Sequence, residues 1–352
     1  MARFSPSDRQ RLRQAMPGNL ETTFAGAEVN VAVAIAALGG RAEFVTALPA
    51  NPLGEACVAA VRATGVGVGG ILMREEGRLG LYFVEAGAGQ RGGLVVYDRE
   101  GSTYAVTGPA AYAWGKILDG AGGLHISGIA AGVSALAAEA TVAAVLTARK
   151  AGLLVSCDLN FRRKLWRWAP GVEPVELSRK TMSGILPHVD LLIGNPFDLA
   201  DVLGVKLEPG VGEAGSAFGS HEELARAVAV RFPQLRWVVM TLRENHSASR
   251  NGWGALLLRV KDGRVFQAPW ENGAYAPYQI DDIVDRVGTG DAFAGALIFA
   301  LQTPELAEPG CALEFAVAAG GLAHTVPGDF FLCSRAEVEA LVGGAEGGYV
   351  AR

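Results

Sequence analysis

The stretch Ile283–Leu301, IVDRVGTGDAFAGALIFAL, holds the residues best spaced for chemistry. Gly288-Thr289-Gly290-Asp291 stands directly ahead of an apolar run that reads as a helix. Two glycines at such a turn let successive backbone N–H groups converge on one point, and the helix dipole adds partial positive charge there. The result is a hole for an anion, suited to a phosphoryl group in transfer. Asp291, at the start of the helix, is placed to take a proton from a hydroxyl. Positioning and electrostatic stabilisation are most of what phosphoryl transfer asks of a protein. Spacing alone fits a second reading equally well, in which the glycines only make a turn and Asp291 only begins a helix. The dinucleotide fingerprint is excluded, because Phe293 stands where its last glycine belongs, and no GxxxxGK[ST] occurs to mark a P-loop.

A second constellation follows the apolar segment LLVSC at 153–157. Asp158, Asn160 and Arg162 alternate along DLNFR, which predicts one extended segment with all three side chains on the same side. These residues need elements to hold them. From about residue 123 strands and helices alternate: LHIS at 124–127, a helix over Ser134–Lys150, LLVSC, VDLLIG at 189–194, a helix from Pro196 to Leu203, a helix over Glu222–Phe232, and WVVMTL at 237–242. Buried strands in such alternation predict a doubly wound, mostly parallel α/β sheet flanked by helices. In these sheets ligands bind beyond the carboxyl ends of the strands, where DLNFR falls.

Ahead of that alternation, EVNVAVAIAAL (Glu28–Leu38) reads as an apolar helix ended by Gly39-Gly40. A strand near Glu43–Ala47 and a helix over Glu55–Thr64 follow. Gly80–Glu85 and Leu94–Arg99, joined by AGAGQRGG, read as a hairpin or small flap. A lid formed by segments 18–25 and 78–108 is therefore expected on a single domain spanning 1–352. Residues 208–220 (EPGVGEAGSAFGS) read as a surface loop. The chain has 47 glycines in 352 residues, nearly twice the roughly 7% of an average protein, so many tight turns or close approaches are expected.

Bulk composition excludes several classes. A net charge of −5 and the absence of a basic run exclude nucleic acid as a partner. Four cysteines with no CxxC pair read as reduced thiols, so a cytoplasmic protein is expected. MARFSPSDRQRLRQAM is too charged for a signal peptide. The uncharged stretch 120–138 carries His125, two serines and five glycines, and reads as a strand, a loop and a helix start rather than a membrane span.

DRVGTGD resembles the C-terminal signature of ribokinase-like (PfkB) carbohydrate kinases, and AGAEVNVAVAIAALGG at 25–40 resembles that family's N-terminal signature. The resemblance continues in order through HISG (125–128), DLNFR (158–162), GNPFD (194–198), TLRENHSASRN (241–251) and VPGDF (326–330), and points to the 2-keto-3-deoxygluconate kinase branch. It implies a ribokinase-like fold with a β lid, ATP and Mg²⁺ as cofactors, and phosphorylation of the sugar acid's terminal hydroxyl. It makes Asp291 the general base and Gly288 and Gly290 the anion hole, with Asp285 organising the turn. Thr289 stands where alanine is commoner and is expected to point at solvent or phosphate. Gly26 and Asn30 match the sugar-contacting signature. Asn160 and Arg162 then face the sugar acid, Arg162 taking its carboxylate through a bidentate fork. Tyr82, Tyr97 and Arg99 match lid positions that close over the substrate, and Asp329 matches a further substrate contact. Arg163 and Lys164 are expected in solvent.

Asn195 and Asp198 match the family's Asn-x-x-Glu with a shorter carboxylate, which implies Mg²⁺ held by Asp198 through water. Thr241 and Arg243, after a strand end, are expected to face the ATP phosphates. Arg99 and Arg162 favour an acid over a neutral ketose such as fructose, with another keto-deoxy acid as an alternative. The intact Gly288, Gly290 and Asp291 argue against a catalytically silent, sugar-binding regulator. The lid's outer sheet face makes a homo-oligomer the expectation. Family members also carry a buried strand just ahead of the segment that MARFSP resembles, so the natural chain is expected to extend about ten residues further, since losing that strand opens two edges.

Overall fold

The computed structural model describes residues 1–205 and 218–344. In chain order its longer strands are Ala2–Ser5 (β1), Glu21–Phe24 (β2), Thr46–Pro49 (β3), Ile71–Arg74 (β4), Leu81–Glu85 (β5), Leu94–Asp98 (β6), Gly123–Ser127 (β7), Leu154–Asp158 (β8), Leu191–Gly194 (β9), Trp237–Asn245 (β10), Asn251–Arg259 (β11) and Arg264–Ala268 (β12). Helices of eight residues or more are Ala27–Ala37 (α1), Pro52–Ala63 (α2), Ala135–Lys150 (α3), Pro174–Met182 (α4), Pro196–Leu203 (α5), Phe218–Arg231 (α6), Thr289–Gln302 (α7), Pro309–Ala323 (α8) and Arg335–Val342 (α9). Their starts follow local chemistry. The Asn51, Ser134, Asn195, Glu308 and Ser334 side chains each accept from first-turn N–H groups, and proline opens α2, α4, α5 and α8.

The central sheet has the order β12-β11-β10-β9-β8-β7. Its strands β7 to β10 are parallel, and β11 and β12 extend it antiparallel. Alternate residues go to opposite faces. Leu192, Val238, Met240 and Leu256 join one core with α3 to α6, while Leu191, Ile193, Val239 and Leu257 join another with α1, α7 and α8. Both faces are covered, which is why VDLLIG and WVVMTL read as unbroken apolar runs. The doubly wound, mostly parallel α/β sheet flanked by helices that the alternation predicts is the one observed.

Differences from expectation have local causes. Glu43 forms only an isolated bridge to Gly67, and strand pairing starts at Thr46 opposite Ile71, so β3 lies three residues later than expected. Phe218–Ser220 open α6, while the rest of the expected loop, 208–217, lies outside the described residues.

The lid is a four-stranded sheet, β2-β1-β5-β6, wider than segments 18–25 and 78–108 alone. Ala2–Ser5, to which the sequence analysis assigned no element, is its inner strand, antiparallel to β2 and parallel to β5. Phe4 stacks on Phe83 at 5.3 Å on one face, and their neighbours Arg3 and Tyr82 take the other. The hairpin turn of the lid touches the β10–β11 connection, where Ala248 N donates to the Gly89 carbonyl at 2.8 Å. On the far side of the central sheet β7 is an edge strand, and a channel of about 750 Å³ runs between it and β3. No helix among the described residues is long and apolar enough to cross a membrane.

One contact decides how closely α1 approaches α7. A Cβ on Gly295 would sit 2.7 Å from Ala34 Cβ and 2.8 Å from the Val31 carbonyl oxygen. Gly295→Ala should therefore force the helices apart and lower stability by about 1–3 kcal/mol. Thermal unfolding checks this, and an unchanged melting temperature would show that the packing there is slack.

Candidate active site

A cavity of about 910 Å³ lies beneath the lid at the carboxyl ends of β8, β9 and β10. Its lining includes every candidate site residue from Gly26 to Asp329. At its floor α7 begins. Gly288 caps the helix at φ +88°, and a Cβ there would lie 2.3 Å from the Asp329 carbonyl oxygen, so only glycine fits. No side chain caps the helix, which leaves its first-turn N–H groups at the cavity. Nothing lies within 4 Å of where a Gly290 Cβ would be, so the backbone opens onto free space. The open, uncapped helix start is the backbone geometry that an anion hole at the two glycines requires.

Asp291 is buried beside it. Its Oδ2 accepts from Asn30 Nδ2 at 2.7 Å, and Asn30 Oδ1 accepts from Gly26 N at 3.2 Å. Gly26 and Asn30, expected at the sugar, thus also orient the base, with the amide fixed between the two partners. Burial raises the Asp291 pKa to about 7, helped by the charges of Asp329 and Glu28 and opposed by the Asn30 bond and Arg162. A carboxylate poised there accepts a proton well near neutral pH.

Thr289 is not turned to solvent. It is buried, its hydroxyl donates to the Arg286 carbonyl at 3.1 Å, and the same oxygen accepts from Arg243 Nη2 at 2.9 Å. Arg243 also lies over the Trp253 ring, 5.3 Å from its centroid, and burial lowers its pKa to about 10. Thr241 and Arg243 do not follow the strand end. They sit within β10, which runs on to Asn245 because β11 pairs with it over the full length. Sequence reading did not single out Arg286. It holds the β10–β11 connection by donating to the Ser247 and Ala248 carbonyls, and its place inside DRVGTGD was the available signal.

Asp158, Asn160 and Arg162 all border the cavity, yet not through an extended segment. Asn160 has φ +35°, a turn closed by its N–H donating to Asp158 Oδ1 at 3.2 Å, which Asn tolerates better than most residues. Arg162 is exposed, and its Nη1 donates to its neighbour's carbonyl, Phe161, at 3.4 Å. From the lid Arg99 lies over the Tyr97 ring at 4.9 Å. Neither arginine has a carboxylate partner among the described residues. The Nε atoms of Arg99 and Arg243 and Oδ1 of Asn160 are buried without hydrogen-bond partners there. Arg163 and Lys164 are both exposed, as expected; Arg163 is 3.9 Å from Asp201, and Lys164 also donates to the Val95 carbonyl of the lid at 3.3 Å.

Asn195 caps α5 and its Nδ2 donates to Asp198 Oδ2 at 2.8 Å. Burial raises the Asp198 pKa to about 6, and Asp158 is raised by burial and by the charges of Asp198 and Asp291. Two buried carboxylates that repel one another fit a hard cation such as Mg²⁺, which would complete its shell with water and phosphate oxygens. No cluster of three or more His, Cys, Asp or Glu groups suited to a metal occurs among the described residues. Asp329 borders the cavity with both oxygens engaged, by Arg3 at 2.7 Å and the Tyr82 hydroxyl at 2.6 Å. Arg3 escaped sequence reading, since an arginine in a four-residue strand carries no signal of what lies beneath it.

An uncapped helix start beside a buried carboxylate, under a β lid on an α/β sheet, fits one class: an α/β phosphotransferase acting on a small hydroxylated substrate. The pfkB family carbohydrate kinase description matches residues 11–334, and the chain belongs to that family. The 2-dehydro-3-deoxygalactonokinase of Haloferax volcanii is 32% identical over 349 residues, 99% of this chain and 96% of that protein. The solved 2-dehydro-3-deoxygluconokinase of Thermotoga maritima superposes with TM-score 0.87 at 37% identity, covering 98% of this chain and 97% of that one. The 2-dehydro-3-deoxygluconokinase of Bacillus subtilis is 26% identical over 279 residues, 78% of this chain and 72% of that protein.

With Asp291 poised at about 7, kcat/KM should fall on the acid side of that pH as the base takes up a proton. Asn30→Ala removes the hydrogen bond that favours the carboxylate, so the acid limb should move to higher pH. A limb that stays in place in the pH–rate profile would show that Asn30 does not hold the base.

Proposed function

We propose that this chain is an ATP-dependent kinase that phosphorylates the terminal hydroxyl of 2-keto-3-deoxy-D-gluconate. The observation that carries the acid substrate is the pair of guanidinium groups, Arg99 and Arg162, at the cavity without carboxylate partners among the described residues. A neutral ketose gives such groups nothing to neutralise, whereas a carboxylate accepts their forked donors. Two similarities that span nearly the whole chain, to kinases named for 2-dehydro-3-deoxy sugar acids, support the same reading.

Arg99 and Arg162 hold the acid end, with the Asn160 amide and the edge of Tyr97 beside them. Gly26 and Asn30 approach the hydroxyls. Asp291 takes the proton from the attacking hydroxyl, and the Gly288–Gly290 turn meets the charge that develops on the transferring phosphoryl group. Thr241, Arg243 and Asn195 border the nucleotide phosphates. Mg²⁺, held through water by Asp198 with Asp158 near, would supply neutralisation of phosphate charge. The Haloferax relative favours one second reading, the galactonate epimer as the preferred acid.

ADP release should be measured over both 2-keto-3-deoxy acids, fructose, ribose and tagatose. The acids should turn over and the neutral sugars should not. Asp291→Asn should lower kcat about 10²–10⁴-fold, and Arg162→Gln should raise KM for the acid more than for ATP. Turnover of fructose with no acid accepted would overturn the substrate assignment.

A further inference from the structure

We infer that Arg3 is a positioning residue for phosphoryl transfer, whose guanidinium ties the lid sheet to the turn that forms the anion hole. The inference rests on the kinase reading above. Arg3 reaches inward from β1, in register with Tyr82 of β5. Its Nη1 donates to Asp329 Oδ1 at 2.7 Å and its Nη2 to Asp285 Oδ2 at 2.5 Å. The side chains are 5%, 4% and 10% exposed for Arg3, Asp329 and Asp285, so the bridge is shielded from water. Among the described residues Arg3 is the only ion-pair partner of either carboxylate.

Each carboxylate passes the constraint on. Asp285 accepts from Val287 N at 3.0 Å and from Gly328 N at 3.2 Å, which joins the approach to Gly288 with the loop that carries Asp329. The Asp329 carbonyl fills the place of a Gly288 side chain, so a shift of that loop moves the anion hole directly. Asp329 also accepts from the Tyr82 hydroxyl at 2.6 Å, and Tyr82 is paired across the sheet with Tyr97. One guanidinium therefore sets the height of the lid and the position of the hole together. A fork spanning two carboxylates cannot be replaced by an ammonium, which is a compact charge that reaches one of them. An ion pair serving stability alone needs only the charge.

Arg3→Lys keeps the charge and Arg3→Met removes it. In Arg3→Lys, which leaves one buried carboxylate unpaired, the melting temperature should fall less than in Arg3→Met, kcat should fall about tenfold or more, and KM for the sugar should rise while KM for ATP stays within about twofold. Amide hydrogen exchange, which needs no substrate, should quicken in segments 78–99 and 285–291 together. In Arg3→Met the acid limb of the pH–rate profile should also move up. Asp291 is faced by Asn30 and Glu28 from α1, by Asp158 and Arg162 around the end of β8, and by Asp329, whose charge then stands unneutralised. Folded Arg3→Lys with wild-type kinetics and unchanged exchange would overturn the inference. A wild-type protein active on no sugar acid would overturn the kinase reading instead, and exchange in the two segments would still decide the role of Arg3.

Discussion

The site depends on a carboxylate kept away from water without being neutralised by a partner of opposite charge. Asp291 meets this condition because α1 and α7 touch backbone to side chain at Gly295, which brings the Asn30 amide to the carboxylate. An amide donates a hydrogen bond while adding no charge. The carboxylate is thus oriented but remains basic, where a lysine or arginine in the same place would have pulled its pKa down. The neighbouring start of α7 has the opposite property, positive potential without a mobile cation, because no side chain caps it.

Cationic side chains are kept at the rim of this arrangement. Arg243 is fixed by Thr289 and by the Trp253 ring, Arg286 by carbonyls of the β10–β11 connection, and Arg3 by two carboxylates. Arg99, stacked on Tyr97, and Arg162 border the cavity with no carboxylate ion pair among the described residues, unlike Arg3. The acidic groups divide in the same way. Asp285 and Asp329 are ion-paired to Arg3, while Asp158 and Asp198, buried and raised in pKa by burial first, have no ion-pair partner among the described residues.

The central sheet and its helices were legible because both faces are buried, so each strand announced itself as an apolar run bounded by turn residues. The glycine turn at the start of α7 was legible for a different reason: Gly288-x-Gly290 stands directly ahead of an apolar helical run, although spacing alone left its role open. What stayed hidden were contacts made at long range in sequence. Nothing near Arg3 reveals Asp285 and Asp329, some 282 and 326 residues away. Thr289 looked like a small surface substitution because Arg243, its partner, comes from another strand. Asn160 was placed in an extended segment by alternation alone, although its bond back to Asp158 bends the chain, and an Asx turn of this kind competes with extended structure locally.

The chemical identity of the product tests the account most directly. With 2-keto-3-deoxy-D-gluconate and ATP, phosphorus–proton correlation by nuclear magnetic resonance should place the new phosphate on the terminal methylene carbon, the hydroxyl delivered to Asp291 while the carboxylate is held by Arg99 and Arg162. A phosphate found on a secondary hydroxyl, or no phosphorylated sugar acid at all, would contradict it.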